Sequence, residues 1–238
     1  MKNEEFIITV ANSSHLSFAK IICDEYESSA KARGTGIAKR SPEYVKQKML
    51  EGKAVIAFSP DGFWAGFCYI ETWGHGEYVA NSGLIVAPQY RKEGLAKTIK
   101  KKIFSLSRQK FPESKIFGLT TGLAVMKINS ELGYEPVTYS ELTQDDAFWA
   151  GCKSCVNYDI LMSKERKLCM CTAMLYDPKD HVEKAGTKED SEEGFAKEEV
   201  KMSKWLRFFK RKSDNSNKED EKSSQKSKRF SLVNFFLG

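Results

Sequence analysis

Residues Leu84-Ile85-Val86-Ala87-Pro88-Gln89-Tyr90-Arg91-Lys92-Glu93-Gly94-Leu95-Ala96-Lys97 constrain this chain more than any other stretch. An apolar strand runs into a turn holding a Pro, an Arg and a Gly, and a helix starts at once. A strand end and a helix start are thereby forced side by side. Backbone N–H groups converge there, where the helix N-terminus adds positive partial charge. Anions bind at such places, and a diphosphate is the natural guest.

The rest of the chain reads as alternating elements around this feature. Phe6 to Val10 is a short apolar strand, and Ser13 or Ser14 can cap a helix carrying Leu16, Phe18, Ala19, Ile22 and Cys23. A basic loop with glycines, Lys31 to Gly36, ends it. Ser41-Pro42-Glu43 opens a second helix, with Ser as cap and Pro at the first helical position, and Gly52 closes it. Ala54–Phe58 and Phe63–Thr72 are expected as strands joined through Pro60-Asp61-Gly62. A further strand covers Tyr78–Val86, and a helix runs from about Gly94 to Gln109. Its buried stripe is Leu95, Ala96, Ile99, Ile103 and Leu106, with the lysines facing out. Strand Ile116–Thr120, helix Val125–Leu132, a strand near Glu135–Tyr139 and a last strand at Cys169–Leu175 complete the set. The order predicts a mixed α/β (α+β) sheet with helices on both faces.

The domain is expected to span 1–178, including a cysteine-rich extension from about 145. From about Lys179 the chain turns rich in Lys, Glu, Asp and Ser, so 179–238 is expected to be a mostly disordered tail. The formal charge is +6, from 38 basic and 32 acidic residues interspersed almost everywhere. That mixing describes a solvated surface, and no nucleic-acid partner is expected. No apolar run approaches membrane-spanning length, and the first residues lack the apolar core of a signal peptide, so a cytoplasmic location is expected. A homo-oligomer is compatible with the chain.

Val86-Ala87-Pro88-Gln89-Tyr90-Arg91-Lys92-Glu93-Gly94-Leu95-Ala96 resembles the acyl-CoA signature of the GNAT N-acyltransferase superfamily, V-x-P-x-Y-R-x-x-G-x-G/A. Farther on, Asn129-Ser130-Glu131-Leu132-Gly133-Tyr134-Glu135-Pro136-Val137 is similar to the family's later helix-to-strand phrase. The resemblance covers roughly residues 5–165 and implies a GNAT-like, mostly antiparallel sheet and an acyl-CoA donor. Amides from Arg91 through Ala96, including those of Lys92, Glu93, Gly94 and Leu95, would cradle the pyrophosphate. Gly94 permits close backbone approach, and Arg91 or Lys97 would add charge. By the same resemblance, Leu84, Ile85 and Val86 would pair with the pantetheine amides as if the cofactor were an added strand.

In this superfamily an amine attacks the thioester directly. The site must orient the amine, take its proton and stabilise the developing oxyanion. Glu71, His75 and Glu77 are the candidates for the base, though each is also readable as an exposed turn residue. Many relatives place a Tyr acid where this chain has Asn129, which can hydrogen-bond but cannot supply a proton. Arg33, Lys39 and Arg40 sit in the loop that borders the family's acceptor site, and Arg suits a carboxylate. The wording from Arg33 to Tyr44, with Phe148-Trp149 and Cys152 to Asp159, resembles GNAT proteins of arginine biosynthesis. Those are taken as N-acylglutamate synthases using acetyl-CoA or succinyl-CoA. This implies a small-molecule amine acceptor, an amino acid such as glutamate. Acylation of a protein or peptide amine, and a non-catalytic acyl-CoA sensor, are the alternatives.

Six cysteines in a reducing compartment are thiols or metal ligands rather than disulfides. Cys152-x-x-Cys155 and Cys169-x-Cys171 make a four-thiol set able to hold a structural zinc if the second pair lies on one strand face. Packing as small apolar residues is the other reading. The island Lys204 to Lys212 mixes aromatics with cations and is a candidate for contact with an anionic membrane.

Overall fold

The computed structural model of this chain describes residues 5–34 and 39–181. The loop at 35–38, the side chain of Arg33, and the tail from 182, with the candidate membrane-contact island at 204–212, lie outside the described residues. β1 (Ile7–Val10) leads into a 3₁₀ turn at Ser13–Phe18 and α1 (Ala19–Arg33). α2 (Pro42–Leu50), β2 (Ala54–Phe58), β3 (Trp64–Trp73) and β4 (Tyr78–Val86) follow. Then come α3 (Leu95–Lys110), β5 (Lys115–Thr120), α4 (Leu123–Glu131), β6 (Glu135–Pro136), α5 (Asp146–Ala150), α6 (Tyr158–Ser163) and β7 (Thr172–Tyr176).

The seven strands form one sheet in the order β1-β2-β3-β4-β5-β7-β6. Every neighbouring pair is antiparallel except β4 with β5. The expected mixed, mostly antiparallel sheet is therefore present. One face carries α1 and α2 over Ile56, Trp64, Phe67, Tyr69 and Ile85. The other carries α3 over Val55, Ala57, Cys68, Ile70 and Val79. Alternating strand side chains feed the two cores, which is why β3 reads as a continuous apolar run buried from Trp64 to Glu71.

Several boundaries differ from the sequence reading. Asn12, not Ser13 or Ser14, is the cap: its side chain accepts from Ser14 N while His15 Nδ1 accepts from Asn12 N. The strand near 135 shrinks to Glu135–Pro136 because a capping box between Thr138 and Glu141 turns the chain. The last strand starts at Thr172, three residues late. The short helices α5 and α6 fill a stretch that periodicity left unassigned. Past the expected end at 178, His181 stacks on Tyr176 with ring centroids 4.3 Å apart. Among the described residues no helix is long and apolar enough to cross a membrane.

One irregularity shapes the functional region. Phe67 faces Ile85 and Tyr69 faces Ser82, so Gly83 and Leu84 together oppose Cys68. This is a β-bulge, which bends and twists its strand. Gly83 takes φ +64°, and a Cβ there would lie 2.4 Å from both Tyr26 Oη and Tyr69 Cε1. Tyr26 Oη also donates to Gly83 O at 2.5 Å. Gly83→Ala should therefore cost about 2–4 kcal/mol through backbone strain and overpacking. Urea unfolding checks this as a lowered midpoint with an unchanged slope.

Candidate active site

β4 and β5 pair only through Tyr78↔Lys115, Val79↔Ile116 and Ala80↔Phe117. Beyond these three pairs the strands part, and β5 continues alongside β7 as far as Thr120. The gap opens into a cavity of about 620 Å³, a size suited to a small-molecule site. Asn81 to Leu84 form one wall and Gly118 to Thr121 the other, with Val125 and Asn129 of α4 closing behind.

At one end of the cavity lie Arg40, Tyr44, Tyr69 and Glu71. Ser41 caps α2 through Tyr44 N, which fixes Tyr44 on the first turn. Tyr44 Oη donates to Glu71 Oε1 at 2.5 Å. Arg40 Nε donates to Tyr69 Oη, and its guanidinium carbon lies 6.0 and 5.8 Å from the Tyr44 and Tyr69 ring centres. Arg40 Nη1 donates to Lys39 O at 3.3 Å, while Nη2 meets no protein acceptor among the described residues. Burial opposes the Arg40 charge, but the Tyr69 hydroxyl and the Glu71 carboxylate outweigh it and raise its pKa. Burial, then Glu71, drives the Tyr44 and Tyr69 hydroxyls upward, so both stay protonated donors at neutral pH.

Deeper in the cavity stand Asn129 and Lys100, each almost fully buried. Asn129 Nδ2 reaches Met174 Sδ at 3.7 Å, while its Oδ1 has no hydrogen-bond partner among the described residues. Lys100 breaks the expectation that the lysines of this helix face out. It lies one turn after Ala96 and one turn before Phe104, beside the Ile99–Ile103 stripe, and so falls on the sheet-facing side. Its Nζ rests 5.2 Å from the centre of the Tyr134 ring, and burial lowers its pKa to about 8. Tyr134 is held in turn by Asn81: Tyr134 Oη donates to Asn81 Oδ1 at 3.0 Å, and Asn81 Nδ2 donates to Ser107 Oγ at 2.7 Å.

The turn before α3 is an open N–H cradle. Gly94 caps the helix at φ +80° without a side-chain hydrogen bond, and no acidic residue occupies the first turn. Lys92 also takes a left-handed φ of 70°. The N–H groups of Lys92, Glu93, Gly94, Leu95 and Ala96 donate to no acceptor among the described residues, whereas Lys97 N returns to Gly94 O. The Leu95 side chain is core, so its part in any cradle is its backbone N–H. From Asn81 to Val86 the β4 edge toward β5 carries no paired strand. Two charged groups expected at the phosphates are engaged elsewhere. Arg91 Nε donates to Val86 O at 3.0 Å, and its Nη2 donates to Glu25 and Ser29 of α1, each at 2.8 Å. Lys97 pairs with Glu131 at 2.7 Å.

Other expected residues sort unevenly. Lys39 and Arg40 line the cavity; Arg33 ends α1. Glu71 lines it, but Glu77 and His75 are exposed at the β3–β4 turn and are absent from its wall. The turn directs both into solvent, away from the cavity wall. Tyr44, Tyr69, Trp73 and Lys100 are cavity residues that motif reading missed. For Lys100 the i, i+4 spacing to Ala96 and i, i+7 spacing to buried Ser107 was the available signal.

Cys152, Cys155 and Cys171 line the cavity, and Cys152 and Cys169 pack against the same core cluster. Burial and then the neighbouring thiols push Cys171 up to about 12 and Cys152 up to about 11. Yet Cys169 and Cys171 precede β7 rather than lie on it, so they do not share a strand face. Cys155 Sγ accepts from Asn157 N at 3.5 Å, and Cys169 Sγ points toward Asn157 O at 3.9 Å. Among the described residues no group of three or more His, Cys, Asp or Glu is arranged to hold a metal, so the expected structural zinc finds no ligand set here.

No protein-family model and no curated protein sequence matches this chain. Solved structures do. N-acetylglutamate synthase from Neisseria gonorrhoeae, complexed with coenzyme A and N-acetyl-glutamate, superposes with a TM-score of 0.51 at 18% identity. The match covers 74% of this chain and 36% of that one, so this chain spans about a third of that enzyme's length. A Mycobacterium tuberculosis protein in complex with CoA and NLQ gives a TM-score of 0.51 at 16% identity, covering 72% of this chain and 98% of that one. The Salmonella typhimurium protein yncA, with its cofactor acetyl-CoA, gives 0.51 at 12% identity over 80% and 99% of the two chains. The fold is that of the GNAT acyltransferases.

Two outcomes follow from this geometry. Asn129→Leu should raise stability by about 1 kcal/mol, because an unpartnered buried acceptor is removed; the urea midpoint reads this. Cys152 and Cys171 should alkylate with iodoacetamide at pH 8 more than ten-fold slower than a free thiol of pKa about 8.5. Their rates should keep rising above pH 9.5, where a free thiol levels off; peptide mass spectrometry follows both.

Proposed function

We propose that this protein is an acyl-CoA-dependent N-acyltransferase that moves an acetyl group to the primary amine of a small, carboxylate-bearing acceptor, an amino acid such as glutamate. One observation carries the reading: a strand edge freed by the parting of β4 and β5 runs directly into the unsatisfied N–H row at the start of α3. An extended amide chain ending in a diphosphate fits that sequence of groups. Leu84 and Ile85 would hold the pantetheine, and the amides of Lys92 to Ala96 the diphosphate. Val86 O is already taken by Arg91, whose guanidinium therefore serves the loop rather than the phosphates. When bound, acyl-CoA supplies an activated thioester whose thiol, with a pKa near 8.5, leaves readily.

The acceptor end supports an amino acid. Arg40 lies beside two tyrosine rings with Nη2 free of an acceptor among the described residues, a charged donor suited to a carboxylate. Glu71 stands beside it, steadied by Tyr44, to take the proton of the attacking amine directly or through a water. The N-acetyl-glutamate in the Neisseria structure favours glutamate among such acceptors. Succinyl-CoA is the alternative donor. A cytoplasmic setting accords with six cysteines, all of them free thiols.

Thiol release from acetyl-CoA and succinyl-CoA, screened against the amino acids, tests the reading. Turnover is expected with glutamate or a close relative. Arg40→Met should raise the acceptor KM ten- to a hundred-fold, the loss of a charge-assisted contact of about 1.5–3 kcal/mol. Glu71→Gln should lower kcat on the order of 10²-fold with little change in the donor KM. Tight CoA binding without turnover on any amine would overturn the proposal in favour of a sensor.

A further inference from the structure

Among the described residues Lys100 is a cation without a counter-ion. It is 2% exposed, it lines the cavity where β4 and β5 part, and no carboxylate or hydrogen-bond acceptor meets its Nζ among the described residues. A buried, unpaired ammonium is costly, and structures retain one where an anion arrives or a proton must move. Its neighbours do not neutralise it. β3 presents the Cys68 thiol, itself pushed up to about 11 by burial. Before β6 lies the Tyr134 ring, whose hydroxyl is committed to Asn81. α4 presents the neutral Asn129. Across the cavity, Glu71 is engaged by Tyr44, and Arg40 lies beside Tyr69.

We propose that Lys100 is a catalytic residue that stabilises the departing CoA thiolate and gives it a proton, filling the role left open by Asn129. This rests on the acyl-CoA reading above. A pantetheine lying along the free β4 edge with its diphosphate at the α3 turn extends its sulfur toward the root of the wedge, where Asn81, Gly118, Asn129 and Lys100 line the cavity. The amine nitrogen bonds to the acyl carbon and the C–S bond breaks, its electron pair leaving on sulfur. Sulfur takes a proton from Lys100 Nζ, and the surplus amine proton goes to Glu71. Solvent restores the first and accepts the second, so the sum is amide plus free thiol. Lys100 first holds the thiolate as an ion pair, which favours the ionised sulfur while CoA stays bound, and an ammonium lowered by burial passes on its proton more readily than an exposed one.

The product complex tests this without any acceptor. CoA is bound to the full chain, and its thiolate is followed by ultraviolet absorbance against pH, with the desulfo-CoA complex as blank. In the wild type the bound thiol is expected to ionise at least one pH unit lower than free CoA, a ten-fold gain in thiolate. In Lys100→Met, which fills the same space without charge, that shift should vanish while CoA affinity stays within a few-fold. kcat should fall on the order of 10²-fold. A bound thiol that ionises as in free CoA in the wild type, or identically in wild type and Lys100→Met, overturns the role of Lys100 and leaves the acyltransferase reading standing. Failure of CoA to bind overturns both.

Discussion

β4 and β5 begin side by side in parallel and separate after Ala80 and Phe117, and the site descends from that separation. The bulge at Gly83 and Leu84 supplies a cause, since an extra residue sharpens the bend and twist of β4. Antiparallel pairing of β5 with β7 supplies another, because it draws β5 the other way. Tyr26 clamps the bulge from α1, and Tyr69 packs beneath it. The opening is thus held by packing on both sides, and the two walls where β4 and β5 part are strands. The freed β4 edge ends at the α3 turn, so a single strand connects the wedge to the N–H cradle.

Charge within this opening is divided. Arg40 and Glu71 lie near one another among tyrosines, where each hydroxyl bonds a specific partner. Lys100 lies apart, with an aromatic ring rather than an acid beside it. The first arrangement suits recognition of a zwitterion: one cation for a carboxylate and one anion beside an amine. The second suits a negative charge that exists only briefly. Low dielectric strengthens both effects and makes Lys100 ready to release its proton.

Most of this fold was legible because its elements carry strong local signals. The apolar runs of β2, β3 and β4, the Ser41-Pro42 cap and the Val86–Ala96 turn each point one way, and the structure agrees. The region after Tyr134 was less legible. α5 and α6 are only 5 and 6 residues long, too short to show a helical period, and they are fixed by contacts such as Trp149 Nε1 to Thr143 O. Cys169 and Cys171 looked like one strand face because the start of β7 cannot be told from spacing alone. At the site, Arg40 and Glu71 could be named from chain position. Tyr44 and Tyr69 could not, since their value comes from partners 27 and 29 residues away. Lys100 was misplaced because charge was weighed above helical spacing.

Arg91 joins three parts of the molecule with one side chain. Its Nε holds Val86 O at the end of β4, its Nη2 reaches Glu25 and Ser29 on α1, and its backbone leads into the cradle, its own N–H returning to Pro88 O. A loop tied in this way cannot drift while α1 stays packed, and α1 is packed through Ile22, Cys23 and Tyr26. The ordering cost of the cradle is therefore met when the protein folds, not when a ligand arrives. It also ties the α3 turn and the β4 wall of the wedge to α1. Any force that shifts the α3 turn is felt at Tyr26 and hence at the Gly83 bulge. Lysine in place of Arg91 would keep the charge and lose the coupling, because a single ammonium lacks the planar fork that spans a carbonyl and a carboxylate at once.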